Sequence, residues 1–386
     1  MRRRVTLPAV AMVLGIAASV VGGGHAGAQP GAACDAVCAA GAALIERFEL
    51  REGRTPVRER DDWVVPRRIA VADPALAEFI RPLVPEAEVI GVDGLRNFAA
   101  MARAVEGAEI LIGLCSPEVI ERGRALRWIQ LLNAGADSCT AVPAVAERGL
   151  LVTNLQRIQG PHMADHAMAL MLALARSLPQ YGRDQVAGYW SRGLRGVGEL
   201  QILELERKTL LVVGLGGIGT EVARRGAGLG MRVIATRNSA RTGPEFVDYV
   251  GLADEVEALA EQADVIVNST PLTDATREMF DADFFAHMQP HAYFINIGRG
   301  ESVVTDDLVD ALTAGGLAGA GLDVTVPEPL PAAHPLWQMP NVILTPHIAT
   351  RSDLRDERTA ILVAENLRRY LRGDALVSEV NLARGY

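Results

Sequence analysis

"LLVVGLGGIGTEVARRGAGLG", Leu210–Gly230, is the stretch on which the fold turns. Leu210–Val213 is a short apolar strand, and Gly214, Gly216 and Gly219 follow it in G-x-G-x-x-G spacing before a helical pattern. Each glycine has a physical task. The first permits the turn, the second lets the backbone approach a pyrophosphate, and the third lets helix pack on strand. The helix N-terminus then offers N–H donors to phosphate oxygens. The alternative is a glycine-rich turn without a ligand. A strand directly before and a helix directly after argue for the dinucleotide site.

The next strand runs through "LGMRVIATRNSAR", Leu229–Arg241. A dinucleotide-binding unit keeps an acid about 20 residues past its glycines, to accept from the adenosine ribose hydroxyls. Here Arg237 stands eighteen residues past Gly219, with Asn238, Ser239 and Arg241 beside it. An acid would repel a 2′-phosphate, whereas guanidiniums make charge-assisted bonds to one. This favours NADP(H) over NAD(H). In the alternative reading Arg237 stacks on the adenine or points to solvent.

Upstream, "RRIAVAD", "AEVIGVD", "EILIGL", "RWIQLLNAG" and "LLVTN" alternate with helical patterns, including one over Pro117–Ala125. Short apolar strands between helices read as parallel strands buried on both faces. "MADHAMALMLALARSLPQYGRDQVAGYW", residues 163–190, reads as one long apolar helix joining this layer to the glycine-motif layer. The expected fold is α/β: two doubly wound parallel-sheet domains in tandem, with an interdomain cleft for the ligand. A flavodoxin-like substrate domain takes residues 65–180 and 350–386, and a Rossmann coenzyme domain takes 181–349.

The totals agree. A chain of 386 residues has room for two cores, and 49% hydrophobic with 22% charged residues describes an ordinary globule. A net charge of −9 argues against a nucleic-acid partner. Four cysteines make no disulfide framework at this length.

The first 28 residues are a different text. "MRRR", the apolar "VTLPAVAMVLGIAASVVGGG" and the small-residue "AGA" at Ala26–Ala28 follow the order of a secretory signal peptide. Cleavage after Ala28 and export to the periplasm or medium are expected, with no stable membrane insertion afterwards. A membrane anchor and a start codon set too far upstream are the alternatives; in the latter case the protein is cytoplasmic. Residues 29–64 form an N-terminal extension. Cys34 and Cys38 have a helical spacing that permits a disulfide in an oxidising compartment or leaves two unpaired thiols.

The glycine motif, "NAGAD" at Asn133–Asp137, "NIGRG" at Asn296–Gly300, "GLDV" at Gly321–Val324, "PEP" at Pro327–Pro329 and "TPHI" at Thr345–Ile348 occur in one order. Together they resemble the D-isomer-specific 2-hydroxyacid dehydrogenases, of the glyoxylate/hydroxypyruvate reductase-like, NADP type, from Arg67 to Arg372. The resemblance implies that Arg299, Glu328 and His347 are the catalytic trio and that Asp323 holds the nicotinamide carboxamide. It implies pyrophosphate contacts at Gly217 and Ile218, and a cofactor-cleft wall at Thr270 and Pro271. Ile297 and Gly298 are cofactor-binding by the same resemblance. Backbone amides near Leu114, Cys115, Ala134, Gly135 and Ala136 would hold the substrate carboxylate. Cys115 and Cys139 both fall in that region; export would allow a disulfide between them, which nothing in the sequence demands. Ala349–Thr350–Arg351 departs from the family's usual pattern after "TPHI", so the substrate is not specified.

These residue types suit the chemistry. Reduction of a 2-keto acid to a D-2-hydroxy acid needs a hydride at the carbonyl carbon and a proton at its oxygen. A histidine can give that proton and take it back, a carboxylate such as Glu328 orients its ring, and Arg299 supplies a charged fork for the substrate. His162, His166, His287, His291 and His334 are read as structural, no metal is expected, and a homodimer is. A reductase and an exported, non-catalytic nucleotide-binding sensor on the same fold are the two function classes, and turnover of glyoxylate or hydroxypyruvate separates them.

Overall fold

Five short apolar runs become the strands of the first sheet: β1 (Arg68–Val71), β2 (Glu88–Gly91), β3 (Ile110–Gly113), β4 (Trp128–Leu131) and β5 (Leu151–Thr153). The computed structural model describes residues 30–94, 97–190 and 202–386, with side chains from residue 37 onward. The expected leader, residues 1–28, and the side chain of Cys34 lie outside the described residues. The chain divides into two units. One takes the residues up to Ile158 with Ser352–Tyr386, and the other takes Gln159–Arg351.

In the first unit the order is β2-β1-β3-β4-β5, and every pair is parallel. That is the flavodoxin-like order, whose switch point lies between β1 and β3. Ile69, Ala70, Val71, Ile110, Leu111 and Ile112 are all fully buried, as strands covered on both faces must be. The intervening helices start on side-chain caps. Asp73 accepts from the Leu76 amide at 2.9 Å and Ser116 from the Val119 amide at 3.3 Å, each followed by proline at the first helical position. The helix expected over Pro117–Ala125 stops at Arg122, because Gly123 ends it.

The C-terminal helix Arg355–Arg372 closes this unit. Tyr370 stacks on Trp128 with ring centroids 5.3 Å apart. Asn366 donates to Gln130 Oε1 at 3.0 Å, in a buried chain with Thr153 and Trp128. The segment expected as an extension is built in: the helix Pro30–Phe48 places Leu44 and Phe48 against Leu155, Leu362 and Val377.

The second unit has β6 (Thr209–Val213), β7 (Arg232–Thr236), β8 (Tyr249–Gly251), β9 (Val265–Asn268), β10 (Tyr293–Asn296), β11 (Gly319–Leu322) and β12 (Val342–Leu344). They lie in the order β8-β7-β6-β9-β10-β11-β12, all parallel. This is the Rossmann order extended by one strand, with its switch point between β6 and β9. Phe280, Phe284, Phe285 and Phe294 form an edge-to-face cluster under the sheet, with Phe280 and Phe284 centroids 4.7 Å apart.

The apolar run 163–190 is two helices, Gly160–Ala175 and Leu178–Val186. Pro179 lacks an N–H and its ring cannot follow a helical turn, and Ser177 takes a left-handed φ of 53° between them. Gly160–Ala175 belongs to the second unit, whereas the expected boundary at residue 180 put it in the first. Met163, Ala167, Met171 and Leu174 pack with Val212, Val222 and Ile295. A Cβ on Gly321 of β11 would lie 3.0 Å from Leu170, so strand and helix are in close contact.

Candidate active site

The turn after β6 has the geometry that the glycine spacing requires. Gly214 takes φ +94°, and a Cβ there would crowd the Thr270 amide at 3.1 Å. A Cβ on Gly219 would run into the Gly214 carbonyl and lie 2.8 Å from Ser269 Oγ. At Gly216 a Cβ would meet no described atom within 4 Å. Of the three motif glycines, Gly216 is thus the one with open space at its Cβ position, where the spacing expects a pyrophosphate to approach. Gly216 is the N-cap of the helix Gly217–Gly228, so the amides of Gly217 and Ile218 lie in its first turn. These residues fit a dinucleotide.

β7 ends at Thr236, and Arg237 follows with its amide on the Gly251 carbonyl at 2.9 Å and Nη1 on the Thr242 carbonyl at 2.8 Å. Asn238 and Ser239 are exposed beside it. Arg241 is engaged elsewhere: it reaches Glu255 Oε1 at 2.7 Å and Tyr249 Oη at 3.0 Å. The Arg241 guanidinium, the Leu252 amide and the Tyr249 hydroxyl hold the Glu255 carboxyl down at about 2. Arg237 and Arg241 thus share one loop with different partners.

The ends of β9 and β10 are joined by a buried polar network that the sequence reading missed. Asn268 Nδ2 donates to Asn296 Oδ1 at 3.0 Å and to Ser302 Oγ at 2.8 Å. Asn268 Oδ1 accepts from the Thr270 amide and hydroxyl, at 3.0 and 2.7 Å. Asn296 Oδ1 accepts from the Gly298 amide at 3.0 Å, and Asn296 Nδ2 and Ser302 Oγ both donate to the Arg299 carbonyl. Three buried side chains thereby hold the backbone of Thr270, Gly298 and Arg299. The available signal was an asparagine at the last position of each of two apolar strands.

Asp323 follows β11 and is 1% exposed. Its Oδ1 accepts from Thr345 Oγ1 at 2.6 Å and the Ile348 amide at 2.9 Å, and its Oδ2 from the Ala349 amide at 2.9 Å. Burial pushes its carboxyl up, but His166, Thr345 and the two amides outweigh that and hold it at about 2. His166, read as structural, stands with Nε2 2.9 Å from Thr345 Oγ1 and 3.4 Å from Asp323 Oδ1. It supports the "TPHI" turn from another helix.

That turn presents His347. Its amide donates to the Asp323 carbonyl at 2.8 Å, and its φ is +50°, a left-handed value rare outside glycine. Nδ1 of His347 lies 2.7 Å from Glu328 Oε1, and both side chains keep solvent access, at 39% and 45%. Nδ1 of His347 is thereby engaged by Glu328, and Nε2 is the ring nitrogen left outside the pair. Arg299 is half-buried, with Nη1 on the Gly298 carbonyl at 2.9 Å.

The remaining candidates lie in the first unit. Leu114 and Cys115 follow β3 at the switch point, and Ala134, Gly135 and Ala136 follow β4. Asn154 donates to the Ala134 carbonyl at 2.6 Å. Cys115 and Cys139 are bonded as a disulfide, with Cα atoms 4.9 Å apart.

Residues 168–349 match the family described as "D-isomer specific 2-hydroxyacid dehydrogenase, NAD binding domain". The human glyoxylate reductase/hydroxypyruvate reductase is 35% identical over 292 residues, which span 73% of this chain and 87% of the human protein. The NADPH-dependent glyoxylate/hydroxypyruvate reductase of Sinorhizobium meliloti, solved with NADP and sulfate, is 28% identical with a TM-score of 0.69, covering 83% of this chain and 100% of that one. A D-isomer specific 2-hydroxyacid dehydrogenase of Xanthobacter autotrophicus Py2, solved with NADPH and MES, is 26% identical with the same TM-score of 0.69 and the same coverage, 83% and 100%. With two parallel-sheet α/β units and a dinucleotide turn, the chain belongs to the D-isomer specific 2-hydroxyacid dehydrogenase family, the NAD(P)-dependent dehydrogenases of 2-keto and 2-hydroxy acids.

Proposed function

We propose that this protein is an NADPH-preferring reductase of small 2-keto acids such as glyoxylate and hydroxypyruvate, with His347 as proton donor. The observation that carries the reading is the 2.7 Å pair of His347 Nδ1 and Glu328 Oε1, on the same unit as the dinucleotide turn. Reduced nicotinamide supplies a hydride when bound. His347 gives the proton on Nε2 to the carbonyl oxygen, and its Nδ1–H stays on Glu328 through the step. The Glu328 carboxylate therefore fixes the orientation of the ring through the step. Arg299 offers a planar cation to the substrate's carboxylate and carbonyl, on a backbone held by Asn296 and Ser302.

Gly214, Gly216, Gly217, Ile218 and Gly219 would hold the pyrophosphate, Arg237 and its neighbours the adenosine phosphate, and Asp323 the carboxamide. Asp323 Oδ2 accepts from one described donor, the Ala349 amide, and so keeps a lone pair for it. The NADP- and NADPH-bound relatives support the same cofactor preference. Export on the leader is part of the proposal, supported by its three-part sequence. So is a homodimer, supported by Val186 and Trp190, which stand 91% and 89% exposed on the second unit. Sedimentation of the mature chain tests the dimer.

The deciding experiment is a spectrophotometric screen of 2-keto acids with NADPH and NADH. Saturable oxidation of NADPH by glyoxylate or hydroxypyruvate is expected. Binding of NADPH with no turnover of any 2-keto acid would reject the enzyme and leave the sensor.

A further inference from the structure

We propose that the Cys115–Cys139 disulfide is a positioning clamp on the substrate-carboxylate loops, so that substrate affinity depends on the redox state of this pair. The inference rests on the reductase reading and on the assignment of the loops after β3 and β4 to the carboxylate.

β3 and β4 are neighbours, in parallel register from Ile110 opposite Trp128 to Gly113 opposite Leu131. Their last rung, the Leu132 amide on the Gly113 carbonyl, is stretched to 3.4 Å. Past it the strands release the two loops in question. Cys115 directly follows Leu114 in the first, and Cys139 lies in the short helix Asp137–Thr140 that ends the second. Cys139 also returns its amide to the Ala136 carbonyl at 2.9 Å, so its position sets that of Ala136. The disulfide is thus a covalent tie where the ladder weakens.

Backbone amides bind a carboxylate well only if they are aimed before it arrives, because ordering them on binding costs affinity. A bond between the loops supplies that order in advance. Both sulfurs are buried, Cys115 at 6% and Cys139 at 0%, among Val119, Ala136 and Val142. Two thiol sulfurs must stand at van der Waals rather than bonding distance, so opening the bond changes the spacing of the two loops.

The chemistry balances. In oxidation two thiols lose two protons and two electrons to a donor disulfide, which becomes two thiols. In reduction a dithiol returns them and closes into its own disulfide. A reducing cytosol keeps the pair open, and an oxidising compartment closes it. The exported chain would therefore hold its substrate more tightly than the same chain before export.

The test compares the mature protein as purified, after dithiothreitol, and after reoxidation with diamide. Differential alkylation and peptide mapping should find Cys115 linked to Cys139 in the first and third states only. The KM for glyoxylate should rise about tenfold on reduction, with kcat within about twofold, and fall again on reoxidation. The Cys115→Ala/Cys139→Ala double variant should show the higher KM and ignore dithiothreitol. Calorimetric binding of oxamate to the NADP complex reads the same shift without turnover. Separate thiols in the oxidised protein, or a KM and an oxamate affinity unmoved by reduction, would overturn the clamp. Absence of turnover with a redox-dependent oxamate affinity would instead reject the reductase reading alone.

Discussion

The His166 ring stands 3.4 Å from the Asp323 carboxylate, although 157 residues separate them in the chain. Between them Thr345 bonds to both, at 2.9 and 2.6 Å. This triad pins the turn from which His347 projects.

Acid stability follows from it. The Asp323 carboxyl sits at about 2, below its ordinary 3.8. A lowered carboxyl stabilises the fold above its unfolded value and loses that contribution as pH falls toward its folded one. The contribution is about 2 kcal/mol, fully present above about pH 5 and lost between pH 4 and 2. Asp323→Asn should be less stable at neutral pH and show a flatter acid limb in urea melts taken from pH 6 to 2.5. An unchanged acid limb would deny Asp323 this role.

Proton transfer is read through His347. His347→Ala should lower kcat by about 10²–10⁴-fold, the usual worth of a positioned acid, with the NADPH Kd nearly unchanged. Glu328→Gln keeps a partner for Nδ1 but removes the charge, so its kcat loss should be smaller, about 10–100-fold. Stopped-flow hydride transfer measures both, and a wild-type rate in His347→Ala would reject the assignment.

Cofactor choice is read through Arg237. Arg237→Asp replaces a cation with an anion, and a lost charge-assisted bond costs about 1.5–3 kcal/mol. NADPH binding should weaken at least about tenfold to a hundredfold, while NADH holds or improves. Arg241→Ala should shift the preference less, because its guanidinium is already engaged by Glu255 and Tyr249. Paired titrations of the two cofactors decide. A wild type that prefers NADH would refute the phosphate reading.

The asparagine network makes a stability prediction. Asn268→Ala strands the Thr270 amide and the Thr270 hydroxyl in a buried site, while Asn296 Oδ1 keeps the Gly298 amide. Each unsatisfied group costs about 1–3 kcal/mol, so the melting temperature should fall by several degrees and kcat with it. Asn268→Asp keeps the acceptor for Thr270 and should recover part of the Thr270 geometry but not the donation to Ser302. Calorimetric melting of both variants tests this, and an unshifted Asn268→Ala melt would contradict it.

Export has its own measurement. Mass spectrometry of the native protein should find a chain beginning at Gln29 in the extracytoplasmic fraction. An intact Met1 in the cytosol would reject it.

What was legible in the sequence was local. The glycine triplet after Leu210–Val213 announces its turn, because neighbours in the chain set the backbone there. The apolar runs announce parallel strands, because a strand covered on both faces cannot afford polar residues. Arg299, Glu328 and His347 stood out as motif residues, yet only the folded chain brings His347 and Glu328 to 2.7 Å. The break at Ser177–Pro179 is also local, marked in the sequence by Pro179. Other features were decided by tertiary structure alone. Gly160–Ala175 joins the second unit because its apolar face fits β10 and β11, not because of its place in the chain. Asn268, Asn296 and Ser302 form one network only because β9 and β10 lie side by side in the sheet. Cys115 meets Cys139 only because β3 and β4 do. A residue's type limits the bonds it can make, but which partner comes within reach of a hydrogen bond or a sulfur depends on packing between segments far apart in sequence.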